Sequence, residues 1–196
     1  VDLARLHVLQ GDLQAARASI DALEPAARAA AAIDAVDSLS RMQGGDRRRA
    51  AVELALIALQ VSSEGSPASV AALERLAQAV RMAADEGVAL ARSDAERAAV
   101  ALVSMPSPSG TDAMATAEAL RMAGRPAEAV ERLQRVSAEL AQGSAAWAEA
   151  RWRLFEALRE LDPRRAAAML KQHLTLAPDG GPAPWGARFV RASGDR

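Results

Sequence analysis

The chain has 196 residues, and its 24 basic and 25 acidic side chains give a formal net charge of -1. That balance removes the general electrostatic case for nucleic acid or an anionic membrane surface as a partner. With no cysteine, disulfides, thiol nucleophiles and thiolate metal sites are excluded.

Composition points to stacked helices instead of one wide core. About a quarter of the residues are alanine, well above average usage, while aromatics make up 3%. Few side chains can fill a broad interior, so the chain packs where backbones approach closely, as in helix pairs stacked on small residues. Tyrosine is absent, isoleucine occurs as Ile20, Ile33 and Ile57, and threonine as Thr111, Thr116 and Thr175. Strand formers are therefore scarce and the fold is expected to be all-α. Lys171 is the one lysine, so positive charge is carried by guanidinium groups. No apolar run reaches the length of a membrane span, and Val1-Asp2-Leu3-Ala4-Arg5 lacks the features of a signal peptide. A first helix that opens at Val1 without a methionine suggests an excised segment of an array continuing upstream.

In chain order, a first helix is predicted from Val1 to Leu9, with Gly11-Asp12 as a tight turn. The second carries the stripe Leu13, Ala16, Ile20, Leu23 and gives way at Pro25 to a third with Ala29, Ile33, Val36 and Leu39, broken at Gly44-Gly45. The fourth, Arg47 to about Val61, is apolar almost all round, as a helix between neighbours should be. After a linker at Ser63–Pro67, Val70, Leu73, Leu76, Ala77 and Val80 mark a fifth helix, which Gly87 ends. Ser93 and Glu96 have capping-box spacing and predict a sixth from Asp94 to about Met105. Pro106-Ser107-Pro108-Ser109-Gly110 is the clearest break. Helix seven covers Asp112 to Ala123, Gly124 ends it, and Pro126 opens helix eight, which closes near Gln142-Gly143. Ser144 caps helix nine, with Trp147, Leu154, Leu158 and Leu161 in one stripe. Asp162-Pro163 then starts helix ten, which stops at Pro178. The remainder, Asp179 to Arg196, reads as turn-rich, with Trp185 and Phe189 folding back as a cap over the last pair.

Self-similarity runs through these helices. Gly11-Asp12-x-x-x-Ala16 recurs as Gly45-Asp46-x-x-x-Ala50 and, in related form, as Gly124-Arg125-x-x-x-Ala129. Arg-Met recurs at Arg41-Met42, Arg81-Met82 and Arg121-Met122, and Glu118-Ala119-Leu120-Arg121 returns as Glu156-Ala157-Leu158-Arg159. With Leu3-Ala4-x-x-His7-x-x-x-Gly11, Ala117-x-x-Leu120-x-x-x-Gly124 and the closing Pro178, the chain resembles a tetratricopeptide-repeat protein. The resemblance implies a right-handed α-solenoid of about five antiparallel helix pairs over residues 1–178, followed by a capping tail at 179–196. The middle pair, about Ser66 to Met105, departs by lacking the glycine at the expected turn. The segment Pro178 to Trp185 is also reminiscent of the ends of bacterial repeat proteins.

Catalytic patterns are absent. His7 and His173 lie on separate helices without partners at metal-ligand spacing, and neither a nucleophile elbow nor a phosphate loop occurs. No metal, cofactor or catalytic residue is expected. Asp34 with Asp37, and Asp85-Glu86, read as solvated faces. Arg47-Arg48-Arg49 looks like an anion patch, yet it falls in a helix first turn, where cations are unfavourable, so some compensating contact is needed, and structural pairing is read ahead of phosphate binding.

By resemblance, Arg41, Arg81, Arg121 and Arg159 form a row on the concave face, flanked by Met42, Met82, Met122 and Trp152. Such a row suits a protein or peptide partner with carboxylates and apolar anchors. Helix-end electrostatics is the other reading of the same arginines. The expected function is a peptide-binding scaffold, with a structural spacer, an oligomerisation segment or a helical accessory region of a larger enzyme or regulator as alternatives.

Overall fold

The computed structural model describes residues 2–105 and 110–194. Among them the secondary structure is helical, without a strand: α1 (Asp2–Gln10), α2 (Leu13–Asp21), α3 (Pro25–Ser40), α4 (Gly45–Val61), α5 (Pro67–Asp85), α6 (Arg92–Val103), α7 (Gly110–Met122), α8 (Pro126–Glu139), α9 (Ala145–Leu161), α10 (Pro163–Leu176) and α11 (Trp185–Gly194). The chain forms two compact units, Val1–Pro106 and Ser107–Arg196. The break expected at Pro106–Ser109 lies outside the described residues, and Gly110 already belongs to α7.

Unit 1 holds three helix hairpins, α1/α2, α3/α4 and α5/α6. First helices neighbour first helices (α1 with α3, α3 with α5), second helices neighbour second helices (α2 with α4, α4 with α6), and α4 also packs on α5. Unit 2 holds the hairpins α7/α8 and α9/α10, with first helix α7 beside first helix α9 and α8 packed on α9. There α11 contacts α9 and α10 just as α9 contacts α7 and α8, so it takes the place of a further first helix. Every tryptophan and phenylalanine of the chain lies in this unit: Trp147, Trp152, Phe155, Trp185 and Phe189.

One rule governs the start of every second helix. The amide of the fourth helical residue donates to the carbonyl of the N-cap residue: Ala16 to Asp12, Arg48 to Gly44, Ala95 to Ala91, Ala129 to Arg125 and Ala166 to Asp162. All five of these residues are buried, and four are alanine. A methyl group there lets the second helix close on its neighbour, whereas a longer chain would hold the backbones apart. The apparent match of Gly45-Asp46-x-x-x-Ala50 to Gly11-Asp12-x-x-x-Ala16 is out of register by two residues. Gly44, at φ 122, is the N-cap of α4, so Arg48 occupies the alanine position and Ala50 is half-buried.

Arg48 fits because its charge is met on both sides. It is 3% exposed. Its Nε and Nη2 donate to Glu86 Oε1 at 2.9 and 2.5 Å, and its Nη1 donates to the carbonyls of Leu39 and Ser40 at 3.3 and 3.4 Å. The guanidinium thus caps the C-terminal end of α3 while tying α4 to the end of α5. Hydrogen bonding to Arg48 holds the Glu86 carboxyl below its ordinary range. Its neighbours are also met: Arg47 donates to the Gln43 carbonyl at 2.7 Å, and Arg49 to Asp46 at 2.7 Å and the Ala89 carbonyl at 3.0 Å.

The middle pair does possess the glycine turn that the sequence reading denied it. Gly87 has φ 66, and its amide and that of Val88 donate to Ala84 and Ala83. Gly11 with Asp12, and Gly124 with Arg125, make the same two bonds at the ends of α1 and α7. What differs is the length of chain after the turn, since α6 starts at Arg92. The Ser93–Glu96 capping box does not form: Ala91 is the N-cap without a side-chain bond, and Glu96 accepts from Arg92 Nε at 3.1 Å.

Replacing Arg48 by alanine restores the residue type of the other four positions but leaves Glu86 and two helix-end carbonyls without their donor. Arg48→Ala is expected to lower stability by about 2–3 kcal/mol, below the full cost of breaking a buried pair because Glu86 is partly solvated. Urea unfolding of Arg48→Ala, Glu86→Ala and the double variant measures this, with the double variant costing less than the sum.

Candidate functional site

The residues singled out in the sequence fall two pairs to a unit. In unit 1, Arg41 is the exposed C-cap of α3 with half-buried Met42 just beyond it, while Arg81 and Met82 are half-buried in the last turns of α5. In unit 2, Arg121 and Met122 are the last two residues of α7, and Arg159 lies exposed in the last turn of α9. The four arginines therefore do not share one register relative to their helix ends. Trp152 is buried, 8% exposed, among other rings.

Arg121 is not a free cation. Its Nε donates to Glu118 Oε2 at 3.0 Å and its Nη1 to Glu160 Oε1 at 2.6 Å. Burial works hardest against its charge, yet Glu118 and Glu160 together outweigh that and hold the guanidinium above its ordinary range. Glu118, 1% exposed, also faces Arg153 Nη1 at 3.2 Å, and Arg153 donates through Nε and Nη2 to Glu149 at 3.0 and 2.8 Å. The result is a ladder, Glu149–Arg153–Glu118–Arg121–Glu160, that spans α9 and α7. Beside it Glu156 is raised above the ordinary carboxyl range, by burial first and then by Glu118, against the opposing pull of Arg121, Arg153 and Arg188. Unit 1 has a simpler tie between first helices, Arg75 of α5 with Asp37 of α3 at 2.5 Å. That pair and Arg48–Glu86 place Asp37 and Glu86, both read from sequence as solvated, in ion pairs.

The tail is a helix where turns were expected. Trp185 and Phe189, four residues apart on α11, are both buried. Phe189 stacks on His173 at 3.6 Å and meets Trp152 edge-on at 5.2 Å, and His173 stacks in turn on Trp147 at 5.1 Å. The approach of the tail needs two glycines: a Cβ at Gly180, whose φ is 84, would lie 2.4 Å from the Gly186 carbonyl oxygen. His173 is fully buried, with Nε2 at 2.9 Å from the Gly180 carbonyl and Nδ1 accepting from Arg151 Nε at 3.2 Å. A carbonyl accepts and a guanidinium donates, so the ring is the neutral tautomer protonated at Nε2. The sequence signals missed were Trp185 and Phe189 at helical spacing, masked by the surrounding glycines and prolines, and the buried acids and arginines of α7 and α9.

Among the described residues, no group of three or more acids or histidines is placed to hold a metal ion. No helix there is long and apolar enough to cross a membrane.

The helix pairs, the glycine turns and the alanine contacts are those of a tetratricopeptide-like helical repeat fold. The same fold is found in a crystal structure of nearly identical TPR-like repeats from Podosopora anserina, described as kinesin light chain. It is 19% identical in sequence, with a TM-score of 0.52 over 89% of this chain and 92% of that one. A substituted form of the same repeats gives 18% identity and the same TM-score over 89% and 91%. No family model matches the chain, and no curated protein pairs with it by sequence.

Burial lowers the pKa of His173 from its ordinary 6.5, with Arg151 adding to the effect and the Gly180 carbonyl opposing it. The unfolded chain therefore takes the proton first. The contribution of the neutral ring is complete above about pH 6.5 and is lost as pH falls below that value. Urea midpoints measured from about pH 8 to about pH 5 should fall more steeply for the wild type than for His173→Gln, and the difference removes the opposite trend from Glu156.

Proposed function

We propose that the chain is a non-catalytic protein-interaction module that binds peptide segments through the face built, in each of its two units, by the first helices of the repeats. The observation that supports this reading is the fold itself, because tetratricopeptide-like repeats act as protein-interaction scaffolds and present their first helices side by side. On that face, Arg41, Met42, Arg81 and Met82 serve unit 1, and Arg121, Met122 and Arg159 serve unit 2, whereas Trp152 is buried among other rings and offers a partner no surface. Exposed guanidiniums recognise partner carboxylates, and the flexible thioethers beside them adapt to apolar side chains. Arg41 and Arg159 are the exposed members, Arg159 resting 5.9 Å above the Phe155 ring.

Because Arg121 is held by Glu118 and Glu160, reversing its charge would damage unit 2 itself and cannot report on binding. The binding test therefore uses Arg41→Glu and Arg159→Glu. A Glu-rich peptide, acetylated and amidated, should bind the wild type with an affinity that falls with salt, and the double variant should bind roughly tenfold more weakly at unchanged helicity. Titration calorimetry at low and moderate salt measures it. Unaltered affinity would reduce these arginines to helix-end electrostatics.

A second reading, end-to-end association, is favoured by α1, where Leu3, Leu6 and Leu9 are 57%, 48% and 57% exposed. In unit 2 the corresponding role falls to residues 179–196, which we assign as a cap. Their deletion should lower the melting temperature and promote association by exposing Trp152 and His173. Light scattering that finds a monodisperse chain with unchanged melting would show that the tail covers nothing of consequence.

A further inference from the structure

Second helices α8 and α10 both pack on α9 but do not approach one another, whereas in unit 1 α4 meets both α2 and α6. The space left between α8 and α10 is a cavity of about 470 Å³, within the range of small-ligand sites. Leu154, Leu158 and Met169 give it an apolar wall, and α8 adds the neutral side chains of Gln134 and Ser137. Its charged groups are Arg151 of α9 and Arg165 of α10, and no acid lines it.

Neither guanidinium has a carboxylate partner among the described residues. Arg151 is half-buried: Nε donates to His173 Nδ1 at 3.2 Å, Nη2 to Gln172 Oε1 at 3.3 Å, and the group lies 5.2 Å from the Trp147 centroid, while Nη1 makes no hydrogen bond. Burial holds Arg151 below its ordinary range, and no acid opposes that pull. Arg165 is exposed in the first turn of α10, where a cation adds to the positive end of the helix. Asp162, the N-cap, has one carboxylate oxygen engaged by the amides of Arg164 and Arg165. The clefts between second helices of unit 1 are charge-balanced by comparison. Arg17 and Arg49 beside α2 and α4 pair with Glu53 and Asp46, and Arg97 of α6 pairs with Asp94 at 3.7 Å. Two unbalanced cations at one apolar-walled cavity call for an anion that brings its own apolar part. We propose that the cavity between α8, α9 and α10 binds a small organic anion, a carboxylate or a phosphate, with its head between Arg151 and Arg165 and a short apolar arm on Leu154, Leu158 and Met169. The site lies on the second-helix side of unit 2 and does not rest on the peptide-binding reading above.

The test uses the full chain with carbon-13 in the methyl groups of its six methionines. Met169 reports from the cavity wall and is assigned through Met169→Leu, and Met42 of unit 1 is the control. Hexanoate, hexyl phosphate, hexanol and inorganic phosphate are titrated separately. The Met169 signal should move saturably with hexanoate if the head is a carboxylate and with hexyl phosphate if it is a phosphate, while Met42 stays in place. Arg151 also holds His173, on which the tail stacks, so the charge variant is Arg165→Gln, whose side chain supports no other group. It should weaken binding roughly tenfold, and Ala168→Phe, which fills the cavity without changing its charge, should abolish it, both at unchanged helicity. Hexanol that moves Met169 as readily as the anions, or full affinity in Arg165→Gln, overturns the anion assignment. Inorganic phosphate that binds as tightly as hexyl phosphate overturns the apolar arm. A Met169 signal unmoved by both organic anions overturns the site.

Discussion

The fourth residue of each second helix sets the terms for the rest of the molecule. Alanine in that position, buried in four of the five second helices, leaves little room for large apolar side chains where the helices meet. Each methyl contributes on the order of 0.8 kcal/mol when buried, so the stack holds through many small contacts instead of a few large ones. Long side chains then find their place at the margins of the helix contacts. Asp37–Arg75, Glu118–Arg153 and Arg121–Glu160 link neighbouring first helices, and Arg48–Glu86 links α4 to the end of α5. Desolvating such pairs offsets much of their attraction, and their value lies in geometry: a helix that slid by one turn would lose the pairs it makes.

The helical content, the pairing and the boundaries of most helices were legible because their signals are local. Asp12, Ser144 and Asp162 accept from backbone amides at the starts of α2, α9 and α10, and prolines open α3, α5, α8 and α10. The errors arose where local and tertiary forces disagree. Gly45-Asp46 imitates a turn motif, but Gly44 starts the helix early and moves the buried position onto an arginine that only a distant glutamate, Glu86, makes tolerable. Ser93 and Glu96 have the right spacing for a cap, yet the chain enters α6 through Ala91, and Glu96 goes to Arg92.

The functional face was less legible than the fold. A period of 40 residues places three Arg-Met pairs alike in sequence, whereas helix ends vary by several residues, so equal spacing does not give equal surroundings. Nothing local distinguishes Arg121, which is ion-paired and half-buried, from Arg159, which is exposed. The difference comes from Glu118 and Glu160, one on the same helix and one on its neighbour. Likewise Arg188 stands in a segment rich in turn formers, and its setting between two indoles depends on α11 docking against α9. Arrangements assembled from side chains of different helices carry no signature that a single stretch of sequence can show.

The uneven distribution of rings gives the molecule a built-in asymmetry of detection. All three tryptophans, Trp147, Trp152 and Trp185, belong to unit 2, and unit 1 has neither tryptophan nor tyrosine. Intrinsic emission therefore follows the second unit alone and is silent on the first, while far-ultraviolet dichroism weighs the helices of both. Where the two signals diverge in a melt, the unit that has opened is known without any label.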